Sequence, residues 1–179
     1  MMNQQKEIVQ ALSKGHLTQP ATALWRTYEL DCVFKHIEFK GRGLDLGCGD
    51  GTLSQVVFDR YPSIRELVGV EPDTHDAEDA RRLLLYKTVH QCFGDAIPEA
   101  SNSFDFVFSN SVLEHIPNVD PVLHESARLL KVGGHFVTTV PSEYFLDCLV
   151  KAPIGRLASL LRRRGNYRDL INERLQHHH

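Results

Sequence analysis

The stretch from Gly43 to Gly51, GLDLGCGDG, constrains this chain more than any other. An apolar run beginning at Leu44, with Asp45 inside it, reads as a short buried strand. It breaks where Gly47, Gly49 and Gly51 alternate with Cys48 and Asp50, and Thr52 to Tyr61 (TLSQVVFDRY) then takes up helical spacing. Alternating glycines admit positive φ and leave bare main chain where a Cβ would collide with a bound molecule. Strand, glycine loop and helix in that order make a ligand-binding turn.

Spacing and charge restrict the ligand. A dinucleotide fingerprint needs its third glycine three residues after the second, where this chain has Thr52. A phosphate loop ends in Gly-Lys-Ser/Thr, and no lysine follows these glycines. The acidic residues Asp45 and Asp50 flank the glycines, Glu71 ends the next strand pattern and Asp95 follows the third. Such carboxylates repel a pyrophosphate and attract a cation, which also argues against an NAD-dependent oxidoreductase.

GLDLGCGDG together with LVGVEPD (Leu67 to Asp73), FGDAIPEASNSFDFVFSNSVLEHI (Phe93 to Ile116) and LLKVGGHFVTTVP (Leu129 to Pro141) resembles the class I S-adenosylmethionine-dependent methyltransferases. Within them it is similar to the small-molecule branch called methyltransferase type 11, and the resemblance covers Gly41 to Pro141. It implies S-adenosylmethionine as cofactor, S-adenosylhomocysteine as product and no metal. The sulfonium and ammonium of that cofactor suit an acidic lining. By the same resemblance Asp45, Gly47, Cys48 and Gly49 form the cofactor loop, and Glu71 with Pro72 meets the ribose. Asp95 takes the adenine amino group, the Ala96 amide reaches a ring nitrogen, and Ser109 and Asn110 lie beside the transferable methyl. A carboxylate such as Glu71 is acceptor-only and can take both ribose hydroxyls; the alternative is an acidic cap for the helix starting near Asp73.

The acceptor is less legible. Asn110 is followed by Ser111, Val112 and Leu113, whereas enzymes that methylate amino groups of bases carry Asn/Asp-Pro-Pro-aromatic there. Nucleic-acid bases are therefore disfavoured, and Glu114 and His115 look like the small-molecule branch. His115, with an ordinary pKa near ~6.5, is a candidate general base, or else a pocket-wall histidine, because positioning alone can supply most of the acceleration of an in-line displacement. In the resembling enzymes helices ahead of the first strand lie over the cofactor, which would bring Trp25, Arg26 and Tyr28 to its methionine end or to the acceptor. Core packing is the alternative for Trp25 and Tyr28.

The remaining patterns alternate strand and helix. Asn3 to Lys14 reads as a short helix and Pro20 to Ile37 as a second. Asp73 to Tyr86 reads as a helix, Lys87 to Phe93 and Ser103 to Ser109 as strands. Val122 to Lys131 reads as a helix capped by Asp120 and ended by Gly133-Gly134, and His135 to Val140 as the fifth strand. The expected fold is α/β, a Rossmann-like, doubly wound and mainly parallel sheet of order 3-2-1-4-5. N-terminal helices (1–40) would cover the pocket, a cofactor-binding core would span 41–141, and a basic helical segment 142–179. Complete enzymes of this class add an antiparallel strand pair after the fifth strand, yet Ser142 to His179 reads as helices. The closing hairpin is thus expected to be absent. The chain is then truncated, natively short, or covered at its open edge by a partner such as a second copy. A cofactor-binding module without turnover is the corresponding alternative function.

The 179 residues, 42% hydrophobic and 24% charged, fit one globular unit. Cys32, Cys48, Cys92 and Cys148 lack metal-ligand spacing, the N-terminus is polar, and no apolar run is long enough to span a bilayer. A cytoplasmic protein is expected. Lys151 to Gln176 carries seven basic and two acidic residues against thirteen and twenty-one elsewhere. Such a tail either touches an anionic membrane surface or packs on the acidic domain with its arginines in water. Arg162 to Arg164 is too short a cluster to indicate nucleic acid.

Overall fold

Short apolar runs punctuated by glycine and proline give five strands, and the longer segments between them give helices. The computed structural model describes residues 20–140, and within its first helix the side chains of Arg26 and of Glu29 onward. The helix expected at Asn3 to Lys14, the side-chain roles of Trp25 and Tyr28, the basic C-terminal helices and the missing hairpin all fall outside the described residues. The elements are α1 (Pro20–His36), β1 (Gly41–Leu46), α2 (Thr52–Phe58), β2 (Ile64–Val70), α3 (Thr74–Arg82), β3 (Thr88–His90), β4 (Phe104–Asn110), a 3-10 turn (Leu113–His115), α4 (Asp120–Leu129) and β5 (Leu130–Thr139). The strands pair in the order β3-β2-β1-β4-β5, and every pairing is parallel. The expected doubly wound sheet is therefore the observed one. Among the described residues no helix is long and apolar enough to cross a membrane.

Two apolar layers hold the sheet. On one face Leu30 and Val33 of α1, Val57 and Phe58 of α2, and Phe39 pack against Leu67, Phe106 and Phe108. On the other, Val122 and Leu129 of α4 cover Leu44, Leu46, Val68, Val70 and Val107. Leu44 pairs with Val68 on one side and Val107 on the other, so β1 is central and its residues are buried. The Phe39 ring lies 4.7 Å from Phe106 and 5.5 Å from Phe58. That aromatic cluster explains Gly43: a Cβ there would stand 2.0 Å from the Phe106 ring.

Element ends depart from the sequence expectation where tertiary contacts override local propensity. The helix expected to reach Tyr61 stops at Phe58, and the Tyr61 hydroxyl donates to the Ile37 carbonyl at 3.1 Å. The helix expected to reach Tyr86 stops at Arg82, because Leu83 is extended (ψ 136) and returns the chain toward the glycine loop. The third strand is only Thr88–His90. Asp120 is not the N-cap of α4; it is the first helical residue, and its N–H donates to Asn118 Oδ1 at 3.3 Å. Gly133-Gly134 does not end that helix either. The helix ends at Leu129, β5 begins at Leu130, and the glycines lie in a register shift between the Phe104–Leu130 and Phe106–His135 pairs, with Gly133 at φ 80. A bulge of this kind absorbs the extra residues without breaking the strand.

Candidate functional site

Parallel strands put all their carboxyl ends on one edge, and ligands of open α/β sheets sit there, near the reversal of strand order. β1 and β4 flank that reversal here. The glycine loop leaves β1 with Gly47, Gly49 and Gly51 at φ 73, 53 and 80. The Gly47 and Cys48 N–H groups both donate to the Val70 carbonyl, at 2.8 and 3.0 Å, which folds the loop back over β2. The glycines differ in purpose. A Cβ on Gly47 would lie 2.3 Å from Val112, and one on Gly51 2.6 Å from Leu83, so both are required by packing. At Gly49 a Cβ would meet nothing within 4 Å. The loop presents its bare backbone to open space at that residue.

Glu71 holds this surface in place. Its Oε2 accepts from the Gly49 N–H and its Oε1 from the Asp73 N–H, both at 2.9 Å. It is not the cap of α3, a role taken by Asp73, whose carboxylate accepts from the His75 and Asp76 N–H groups at 2.8 and 3.0 Å. A carboxylate offers about four lone-pair positions, so Glu71 retains acceptor capacity after fastening the loop.

The acidic side chains do not all face the edge. Asp45, expected in the cofactor loop, is 2% exposed and lies beneath it, accepting from the Tyr86 hydroxyl at 2.6 Å. Burial pushes its pKa up to about 6, against the pull of hydrogen bonds from Ser54 and Tyr86. Its carboxylate is held on the underside of the loop by Tyr86 and Ser54. Burial likewise raises the Cys48 thiol well above its ordinary range, so it stays protonated. Asp50 is exposed and accepts from the Thr52 N–H at 2.9 Å. Pro72, Asp95 and Ala96 are exposed in the turns after β2 and β3. Gly94 ties the second of these turns to β1, since a Cβ on it would stand 2.7 Å from Leu46 Cδ1.

At the end of β4, Ser109 is fully buried and its Oγ has no hydrogen-bond partner among the described residues. Asn110 accepts from Arg26 Nη1 at 2.9 Å through Oδ1 and donates through Nδ2 to Thr139 Oγ1 on β5. Arg26 also donates to Ser111 Oγ and to Glu29 Oε2, the latter at 2.9 Å. Ser111 has φ 54, a strained value for a residue with a Cβ. α1 thus reaches the carboxyl edge through Arg26. Glu114 and His115 are exposed on the 3-10 turn beyond it.

Sequence reasoning missed Tyr86, Glu29 and Thr139. Only the i, i+3 spacing of Arg26 and Glu29 was a local signal; Tyr86 lies 41 residues from Asp45. Among the described residues no three His, Cys, Asp or Glu side chains converge as a metal site. A cavity of about 850 Å³ opens beside Lys40, Arg65, Asp105 and Lys131, at the amino ends of the strands and away from the glycine loop.

The sequence profile of a family described as methyltransferase domain matches residues 44–138, just over half of the chain. The chain is 31% identical over 153 residues to an uncharacterized methyltransferase of Schizosaccharomyces pombe, covering 73% of this chain and 55% of that one. It is 32% identical over 152 residues to the ubiquinone biosynthesis O-methyltransferase of Xanthomonas oryzae pv. oryzae, covering 79% and 62%. The geranyl diphosphate C-methyltransferase of Streptomyces coelicolor, solved with S-adenosyl-L-homocysteine, superposes with a TM-score of 0.55 at 22% identity over 66% of this chain and 47% of that one. The fold is that of the class I S-adenosylmethionine-dependent methyltransferases. This chain belongs to their methyltransferase-domain family. It spans about half to six-tenths of the length of the curated relatives it matches.

Proposed function

We propose that the chain transfers a methyl group from S-adenosylmethionine to an oxygen, nitrogen or carbon of a small molecule. The observation that carries this reading is the open side of Gly49, held by the Glu71 carboxylate at the carboxyl edge. A nucleoside can lie against that backbone, and the free lone pairs of Glu71 can accept its ribose hydroxyls. Asp95 and the Ala96 amide would take the adenine edge, with Gly47 and Cys48 completing the loop. The residues present fit a positively charged nucleoside better than a pyrophosphate, because no lysine or arginine stands in the loop and the nearby carboxylates disfavour an anion.

When bound, the cofactor supplies a methyl already activated on sulfonium. The protein's task is then to hold the acceptor atom in line and exclude water. Ser109 and Asn110 lie at the end of β4, where that alignment is required, and Arg26 reaches the same place from α1. His115 is the candidate base for an acceptor that must lose a proton. The test is turnover: purified chain, methyl-labelled S-adenosylmethionine and a panel of hydroxyl, amine and enol acceptors, with S-adenosylhomocysteine and labelled product followed by mass spectrometry. Matched release of both supports an enzyme. Binding of the cofactor with no transfer to any acceptor supports the cofactor-binding module instead.

A further inference from the structure

The turn that carries Asp95 and Ala96 belongs to a stretch, Gln91 to Ser103, with no helix or strand of its own. Both residues are exposed, yet their neighbours on either side are fixed. Gly94 sits where a Cβ would meet Leu46 and Val122. Ile97 is 3% exposed in the layer with Leu44, Leu46 and Val122, and both of its backbone polar groups are held from α4. The Ile97 N–H donates to Glu125 Oε1 at 2.7 Å, and the Ile97 carbonyl accepts from Arg128 Nη2 at 3.2 Å.

Glu125 and Arg128 act as one unit. Arg128 donates through Nε to Glu125 Oε2 and through Nη2 to Glu125 Oε1, both at 2.7 Å, the two parallel bonds of a guanidinium–carboxylate fork. The Arg128 hydrogen bonds, outweighing burial, hold the Glu125 carboxyl below its ordinary range, with a further contribution from the Ile97 N–H. Arg128 Nη1 reaches further along the same stretch, to the Glu99 carbonyl and to Ser101 Oγ, both at 3.0 Å. From the other side the Glu99 carboxylate bonds His90 Nε2 of β3 at 2.8 Å and accepts from Arg42 Nη2 of β1 at 3.0 Å. An i, i+3 ion pair stabilises its own helix only slightly. Here its polar atoms are directed at the backbone of another segment.

Those bonds fix the plane of the Ala96–Ile97 peptide, and the packing of Gly94 fixes the chain two residues earlier. A hydrogen-bonding edge on a loop discriminates between ligands only when it is held to within about 0.5 Å by supporting contacts behind it. We propose that the Glu125–Arg128 pair positions the Asp95–Ala96 turn so that it distinguishes a 6-amino purine from a 6-oxo purine. This rests on the reading of that turn as the adenine edge of an S-adenosylmethionine site. Glu125 and Arg128 are positioning residues that act through Ile97. An ionised Asp95 is acceptor-only and matches the amino group, while the Ala96 N–H matches an unprotonated ring nitrogen. A 6-oxo base reverses both, bringing its carbonyl to the carboxylate and a ring N–H to the Ala96 N–H.

The experiment is calorimetric titration of the full chain with S-adenosylhomocysteine and with S-inosylhomocysteine, its 6-oxo analogue, for the wild type and the Glu125→Gln, Glu125→Ala and Arg128→Lys variants. The wild type should favour the adenosyl compound by roughly tenfold or more. Lysine keeps the charge of Arg128 without the fork, and Glu125→Ala removes the acceptor for the Ile97 N–H. In both, the preference should fall by about fivefold or more while S-inosylhomocysteine binds within about twofold of its wild-type affinity. Glu125→Gln keeps one acceptor and should fall between the wild type and Glu125→Ala. The proposal is overturned if the variants keep the wild-type preference, including the case in which both nucleosides weaken together, as a merely structural role for the pair would cause. A wild type that binds the two nucleosides equally also overturns it and leaves the glycine-loop site standing. A wild type that binds neither refutes the cofactor reading and this proposal with it.

Discussion

Replacing Asp45 with asparagine removes charge with little change of shape beneath the glycine loop, and the structure gives the size and sign of the effect. Burial lifts the Asp45 pKa from its ordinary 3.8 to about 6, outweighing the Ser54 and Tyr86 hydrogen bonds that stabilise the anion. A difference of about two units is worth ~3 kcal/mol at 1.36 kcal/mol per unit. The folded pKa is raised, so the native state binds a proton that the unfolded chain has already released between pH ~4 and ~6. Stability from this residue is therefore highest below the unfolded value and falls as pH rises through the folded one. Asparagine does not titrate. Urea unfolding followed by circular dichroism at several pH values from 4 to 7.5 should show Asp45→Asn gaining on the wild type by about 2.4 kcal/mol across that range, the rest of the effect lying below pH ~4. Contributions from other carboxylates cancel in the difference. A difference constant within about 0.5 kcal/mol, or one that moves against the variant as pH rises, would refute the claim that burial dominates at this site.

Three further outcomes follow from particular contacts. Gly43→Ala should cost about 1–3 kcal/mol in urea unfolding, because its Cβ would stand 2.0 Å from a Phe106 ring that the aromatic cluster prevents from moving. Gly49→Ala meets no atom within 4 Å, but it must hold φ 53. It should cost only about 1 kcal/mol of stability while weakening S-adenosylhomocysteine far more, in calorimetry on the same sample. Burial alone would raise Glu99, but its hydrogen bonds from His90 (2.8 Å) and Arg42 (3.0 Å) outweigh that and hold it below the ordinary carboxylate range. Its stabilising contribution is present above the unfolded pKa and is lost as pH falls through the folded one, so Glu99→Gln should lose least relative to wild type in unfolding measured at the lowest pH.

The sheet was legible because β-strand alternation and its breakers are local. The runs around Leu44, Val68 and Val107 are too short and too apolar to be anything but central strands, and parallel order followed from the helices between them. Element ends were less legible because distant residues decide them. Leu83 leaves α3 to fill the space beside Gly51, and Tyr86 continues to Asp45, neither of which a helical pattern can announce. The same limit applies to the site. Sequence gives the sign of each carboxylate but not the face on which it falls; Asp45 follows Gly43 at strand spacing, and the aromatic cluster and α2 claim that face. The position of Glu71 was legible because a residue at the C-terminal end of a parallel strand has one edge to face, while its role there stays a proposal.

The central claim is that the carboxyl edge, with Gly49 bare and Glu71 beneath it, receives a sulfur nucleoside. Calorimetric titration of the purified chain with S-adenosylhomocysteine and with NAD, repeated on Glu71→Ala, tests it most directly. The account predicts one-site binding of S-adenosylhomocysteine, no heat from NAD, and at least a tenfold loss of affinity in the variant. A folded wild-type chain that binds NAD and leaves S-adenosylhomocysteine free in solution would contradict it.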